Sequence, residues 1–261
     1  MKLIKIHFLL FTFLWSKFIY SQTDNLQKGI DLFYKRAEGS KDLVAKPEII
    51  NEAIAILEKE LLALNQPEKS GLYYLLSLNF KARFVCRTDA EKKPVLNKAI
   101  KMAELLKKQY PNSGPICFEY ITSVGLLAEI SGSFKSATDG AVGKMKTSAE
   151  TLIAIDSMYN SGAGWKVLGI LNYRTPNLGI VLNWADKKYA KQLLEKALHY
   201  YPNDIANNFY YAEALVENDD TENAIRYFKL LLKLTARKDF VLEDLDFKAR
   251  ALMALQELNK K

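Results

Sequence analysis

Two histidines, His7 and His199, and two cysteines, Cys86 and Cys117, are all the imidazole and thiol chemistry that the 261 residues hold. A tetrahedral zinc site would need nearly all of them in one place, so no metal and no cofactor is expected. His199 lies in Leu198-His199-Tyr200-Tyr201, at the end of a helical pattern, where a capping or surface role suits it better than that of a base. Glu213 and Glu217 stand one helical turn apart. Paired carboxylates can hydrolyse glycosides, but helix surfaces produce such pairs by chance. Neither a G-x-S-x-G elbow, a phosphate loop nor an H-E-x-x-H pattern occurs. No catalytic residue is therefore expected, and the chain reads as a non-enzyme.

The groups with binding potential are cations set among aromatics: Lys166 and Arg174 near Tyr173, Trp184 and Phe209, with Glu213 in the same region. Cations beside aromatic faces suit an anionic ligand or an acidic peptide end. The competing reading has Tyr173 and Phe209 packed between helices and Lys166 solvated.

The elements that must position these residues are helices. Glu48–Leu64 and Lys92–Tyr110 carry apolar residues at three- and four-residue spacing, with Pro47 and Pro94 at their starts. Period-two alternation is missing throughout. Expected helices are 24–37, 48–64, 69–86, 92–110, 113–130, 137–158, 163–173, 187–201, 205–217, 221–234 and 241–259. Hydrophobic residues at 49% and charged residues at 26% describe an ordinary globular composition and exclude disordered and disulfide-scaffold classes.

The N-terminus differs from the rest. Lys2 and Lys5 precede the apolar run Phe8–Trp15, and Ser21 offers a small residue for cleavage. This is the pattern of a secretory signal peptide over 1–21. The run is shorter than the roughly 20 residues that span a bilayer; an uncleaved anchor helix is the alternative. Cleavage would leave residues 22–261 as one exported, periplasmic domain with no transmembrane segment. It would remove three lysines and no acid, taking the net charge from +7 to +4. That modest charge, interleaved with acids as in Glu58-Lys59-Glu60, does not form the basic stripe that nucleic acid requires. In an oxidising compartment Cys86 and Cys117 become relevant, yet the helix map puts them too far apart for a disulfide, so two buried thiols are expected.

The helices repeat. Ala99 precedes Pro111 by twelve residues and Ala190 precedes Pro202 by twelve, each proline within Tyr-Pro-Asn. Ala212, Ala224 and Phe228 continue the spacing in a last unit, Ile205–Lys238, of 34 residues. Trp165, Leu168 and Gly169 supply a W-x-x-L-G opening one unit earlier. The pattern resembles the tetratricopeptide repeat (TPR), although the last unit has Ala236 where that repeat has Pro. The resemblance implies an all-α, right-handed helical-hairpin solenoid of about five helix pairs plus a capping helix, 241–259, with Lys248, Arg250, Gln256 and Glu257 on a wet face. An unrelated α-bundle is the alternative.

Counting twelve from Gly169 reaches 181, but the matching Ala190 comes nine residues late. The extra residues lie in 172–184, a loop read either as tucked against the core or as a lip over a pocket. With Asp156, the glycine-rich Ser161–Gly164, Trp165–Gly169 and Tyr173-Arg174-Thr175-Pro176, the run 156–234 resembles the T component associated with TRAP transporters. That resemblance implies an exported all-α protein binding a small hydrophobic or organic-acid ligand, or the transporter's solute-binding subunit. In repeats of this kind the first helix of each pair lines the groove, which would place Lys166, Ile170, Tyr173, Arg174, Phe209, Glu213 and Glu217 there. Two functions follow as expectations: a protein–protein interaction scaffold in the cell envelope, or a small-ligand-binding transport accessory with a pocket or pore beside 172–184.

Overall fold

A computed structural model describes residues 25–131, 140–175 and 184–260. Among them are eleven α-helices and no strand: α1 (25–34), α2 (Pro47–Leu62), α3 (Pro67–Phe80), α4 (Asp89–Gln109), α5 (Gly114–Ile130), α6 (Ala141–Asp156), α7 (Tyr159–Arg174), α8 (Lys187–Tyr200), α9 (Ile205–Glu217), α10 (Thr221–Lys233) and α11 (Val241–Leu258). The described residues form an all-α helical-hairpin solenoid. The expected signal segment 1–21, the residues 132–139 and the loop core 176–183 lie outside the described residues.

Local chemistry sets the boundaries. The helices α2, α3 and α5 each begin with Pro in the first turn, where its missing N–H costs nothing. Asp186 caps α8 by accepting from the amides of Lys188 and Tyr189, and Asp204 caps α9 through the Asn207 amide. The helix α4 starts three residues before the expected Lys92, because Thr88 and Glu91 form a capping box. Pro94, expected in the first turn, therefore lies inside the helix. At the start of α7, Asn160, Ser161 and Gly162 all adopt left-handed backbone, with φ of 45°, 59° and 73°. This turn lets the chain reverse after α6 before the regular helix begins at Ala163.

Sequential helices pack as antiparallel hairpins, and small residues let them approach. A Cβ added at Gly169 would lie 2.5 Å from Leu194 Cγ, across the α7–α8 crossing. Ala190, Ala212 and Ala224 are fully buried, as the repeat spacing requires. Beyond these hairpins, α3 touches α5, α5 touches α7, α7 touches α9 and α9 touches α11. Tyr34 and Tyr73 extend the series from α1 to α3, their hydroxyls 3.0 Å apart. The odd-numbered helices thus form a continuous inner layer, and the even-numbered helices lie outside it.

The final helix does more than cap the last repeat. One face of α11 packs Phe247, Ala251 and Leu255 into the C-terminal cluster, while Leu242 joins the N-terminal cluster. Arg36, just beyond α1, is only 2% exposed; it donates to the Asp239 carbonyl at 2.6 Å and to Glu243 Oε1 at 2.9 Å. Its guanidinium also lies over the rings of Phe33, Phe80 and Phe240. Arg83 pairs with Asp246. It sits in a single π-helical turn, Lys81–Val85, that extends α3. Ends of the chain some 200 residues apart are therefore tied together, and α11 closes the inner layer onto the first repeats.

The expected wet face of α11 is only partly wet. Gln256 and Glu257 are exposed. Lys248 instead donates to the Leu232 and Leu234 carbonyls, and Arg250 turns inward over Phe209.

Candidate binding recess on the inner layer

Arg174 closes the C-terminal end of α7, and Glu213 lies on the facing side of α9. Both Tyr173 Oη and Arg174 Nη2 donate to Glu213 Oε2, at 2.6 and 2.7 Å. The other Glu213 oxygen is 3.9 Å from Arg250 Nη2 on α11. Arg174 Nη1 is 3.7 Å from Glu129 on α5, whose side chain is half exposed. The Tyr173 and Tyr210 rings stand 5.6 Å from the Arg174 guanidinium. Four inner-layer helices therefore converge on two arginines that share one close carboxylate. The recess is partly open to solvent, since Arg174, Glu213 and Arg250 each keep about a quarter of their side-chain exposure. Burial, followed by the Glu213 charge, pushes the Tyr173 hydroxyl well above its usual range. Tyr173 is thus a fixed donor, not an acid.

Of the six expected binding residues, Tyr173, Arg174 and Glu213 meet directly. Phe209 is 2% exposed and lies beneath Arg250, 4.5 Å from its guanidinium, with the Phe247 ring 5.3 Å away. It is the floor under a cation and offers no surface of its own. Lys166 is held elsewhere: two turns back along α7 its buried ammonium lies 3.6 Å from Asp204. Burial lowers the Lys166 pKa, against the opposing pull of Asp204. Burial alone would raise the Asp204 carboxyl, yet Lys166 and the Asn207 amide hold it below its ordinary value. Arg237 lies 4.0 Å from Asp204 and forms a two-pronged pair with fully buried Asp244, so these four charges bind α7, α9 and α11 together. Trp184 packs half-buried against the N-terminal cluster, with Lys146 Nζ 5.7 Å from its ring centroid.

Sequence reasoning did not select Arg250, Tyr210 or Glu129, nor Asn172. The buried Asn172 side chain donates to Leu168 O and accepts from the Asp186 amide, joining the two ends of the 172–184 connection. Arg250 had a signal: a cation at the i+3 position from Phe247, on a helix whose neighbours supply the acids. The paired carboxylates separate, because Glu217 binds Lys187 at 2.7 Å while Glu213 faces the recess. Cys117 is buried, Cys86 is partly exposed and both are free. Burial raises both thiols, so neither is poised as a thiolate. Among the described residues, no cluster of three or more His, Cys, Asp or Glu side chains is arranged to hold a metal ion, and no helix is long and apolar enough to cross a membrane.

No family model and no curated protein sequence matches the chain. Among solved structures it is similar to the crystal structure of yeast Tom70, at 14% identity and a TM-score of 0.31, across 90% of this chain. It spans 65% of the length of that chain.

Proposed function

We propose that this protein is an exported, non-catalytic binding protein that acts as an interaction scaffold in the cell envelope, receiving an acidic peptide end of its partner at the Arg174–Arg250 recess. One observation carries the reading: of two partly exposed guanidiniums at this point, Arg174 is closely paired with Glu213 at 2.7 Å and lies 3.7 Å from Glu129, whereas Arg250 has its nearest carboxylate, Glu213, at 3.9 Å. A carboxylate from a partner gives Arg250 the close pairing that Glu213 leaves unfilled, beside the Tyr173 and Tyr210 rings. Export rests on the N-terminal pattern of Lys2, Lys5 and Phe8–Trp15. Titration calorimetry with peptides carrying free or amidated C-termini tests the site. The free-carboxylate series binds, amidation weakens it at least tenfold, and Arg250→Ala abolishes the difference. Equal binding of the two series refutes the reading.

A second reading has its own support. The helix α11 docks on Arg36 and Arg83 across the inner layer, and the reading supported by this is a small organic ligand held under α11, as in a TRAP-type transport accessory. Native mass spectrometry that recovers a copurified small organic acid, released on Arg174→Ala, favours this reading over the peptide.

A further inference from the structure

The charges of the recess form an alternating row. Glu129 Oε1 of α5 stands 3.7 Å from Arg174 Nη1, Arg174 Nη2 donates to Glu213 Oε2 at 2.7 Å, and Glu213 Oε1 lies 3.9 Å from Arg250 Nη2. Of these three contacts only the central one is a close ion pair. Each end of the row therefore keeps pairing capacity, and the ends have opposite sign: a carboxylate on α5 and a guanidinium on α11. The Glu129 side chain is 52% exposed and that of Arg250 is 25% exposed, so solvent reaches both. The charges of the row cancel, and a bare carboxylate arriving at Arg250 would leave the recess with an excess negative charge. A ligand that brings a carboxylate to Arg250 and a cation to Glu129 satisfies both ends and keeps the balance.

We propose that the recess selects a peptide end whose free carboxylate is accompanied by a cationic side chain, a C-terminal lysine or arginine, with Arg250 taking the carboxylate and Glu129 the cation. This specificity rests on the reading of Arg250 as the carboxylate receptor. Arg174 and Glu213 separate the two ends of the row, so the complementary ligand holds its own charges apart. A terminal lysine does so across a flexible four-carbon stem. Glu129 is thus a specificity residue: it opposes a bare anion and favours one that carries its own counter-charge. Because Glu129 is half exposed, its pairing has the strength of a surface ion pair, at most about fivefold in affinity, and it weakens in salt.

Titration calorimetry at low ionic strength compares free-carboxylate peptides of one sequence that end in lysine or in norleucine, which has a similar stem without the charge. A further peptide ends in norleucine and carries its lysine well back from the end, so that net charge is matched. The wild type is expected to bind the lysine-terminated peptide about three- to fivefold tighter than either of the others, with the advantage shrinking in high salt. Glu129→Gln, at a half-exposed position, is expected to bring all the peptides level. Equal binding of the lysine and norleucine ends by the wild type overturns the proposal and leaves the carboxylate reading standing. An undiminished preference in Glu129→Gln, or an equal advantage for the displaced lysine, overturns it in the same way. If no free-carboxylate peptide binds, the proposal and the reading beneath it both fall.

Discussion

Replacing Arg36 with Ala removes a side chain that is 2% exposed and makes three hydrogen bonds, to the carbonyls of Phe33 and Asp239 and to Glu243. The substitution leaves Glu243 without its cation while one of its oxygens is already buried and unpartnered. Breaking a buried ion pair from one side costs about 3–5 kcal/mol. Glu243 keeps 19% of its side-chain exposure and so recovers some hydration, which places the expected loss near the lower figure, about 3 kcal/mol. The three aromatic rings around the guanidinium lose packing as well, so the loss should not fall much below that. In a chain of this size about 3 kcal/mol lowers Tm by roughly 6–12 °C. Urea denaturation at pH 6 gives the free energy and thermal unfolding gives Tm. Exchange of 238–258 should rise more than that of α8, because Arg36 ties the start of α11 to the first repeats through Asp239 and Glu243. A loss below about 1 kcal/mol, the range of an exposed pair, would refute the view that Arg36 closes the inner layer.

Gly169→Ala drives a Cβ to 2.5 Å from Leu194 Cγ and should destabilise by about 1–3 kcal/mol in urea denaturation. Lys166→Ala leaves Asp204 buried with the Asn207 amide and one remaining cation, Arg237, at 4.0 Å; a loss of about 3 kcal/mol at pH 7 is expected. That loss should shrink in acid once Asp204 is protonated, since Lys166 then has no charge to meet. Tyr173→Phe removes one donor from Glu213 and should cost about 1 kcal/mol of stability while leaving the charge of the recess intact, measurable by thermal unfolding and peptide titration side by side. A maleimide reagent should modify partly exposed Cys86 well before buried Cys117 in the folded chain, read by intact mass, and both at similar rates in urea.

Much of the helix map was legible because local chemistry writes helix ends. Asp204 capping Asn207 and the Ala-to-Pro spacing place α8 and α9 to within a residue of their expected bounds. The start of α4 was carried by Thr88 and Glu91, a capping box that Pro94 obscured. The closure by α11 was not legible, because Arg36 and Glu243 are 207 positions apart and no local periodicity encodes such a meeting. That closure also explains the divided outcome for the binding residues. Position counting placed Lys166, Tyr173, Arg174, Phe209 and Glu213 on the inner layer, where they are. Counting carries no information on what packs over that layer: Phe247 and Arg250 cover Phe209, and the α9 cap takes Lys166.

Closure of the inner helical layer by its own last helix is tested most directly by a double-mutant cycle on Arg36 and Glu243. Arg36→Ala, Glu243→Ala and the double variant are compared in urea at pH 6. Two residues that touch should show a coupling of at least about 1 kcal/mol, with the double variant losing less than the two single losses together. Losses that add to within about 0.3 kcal/mol, as for independent sites, would contradict the closure.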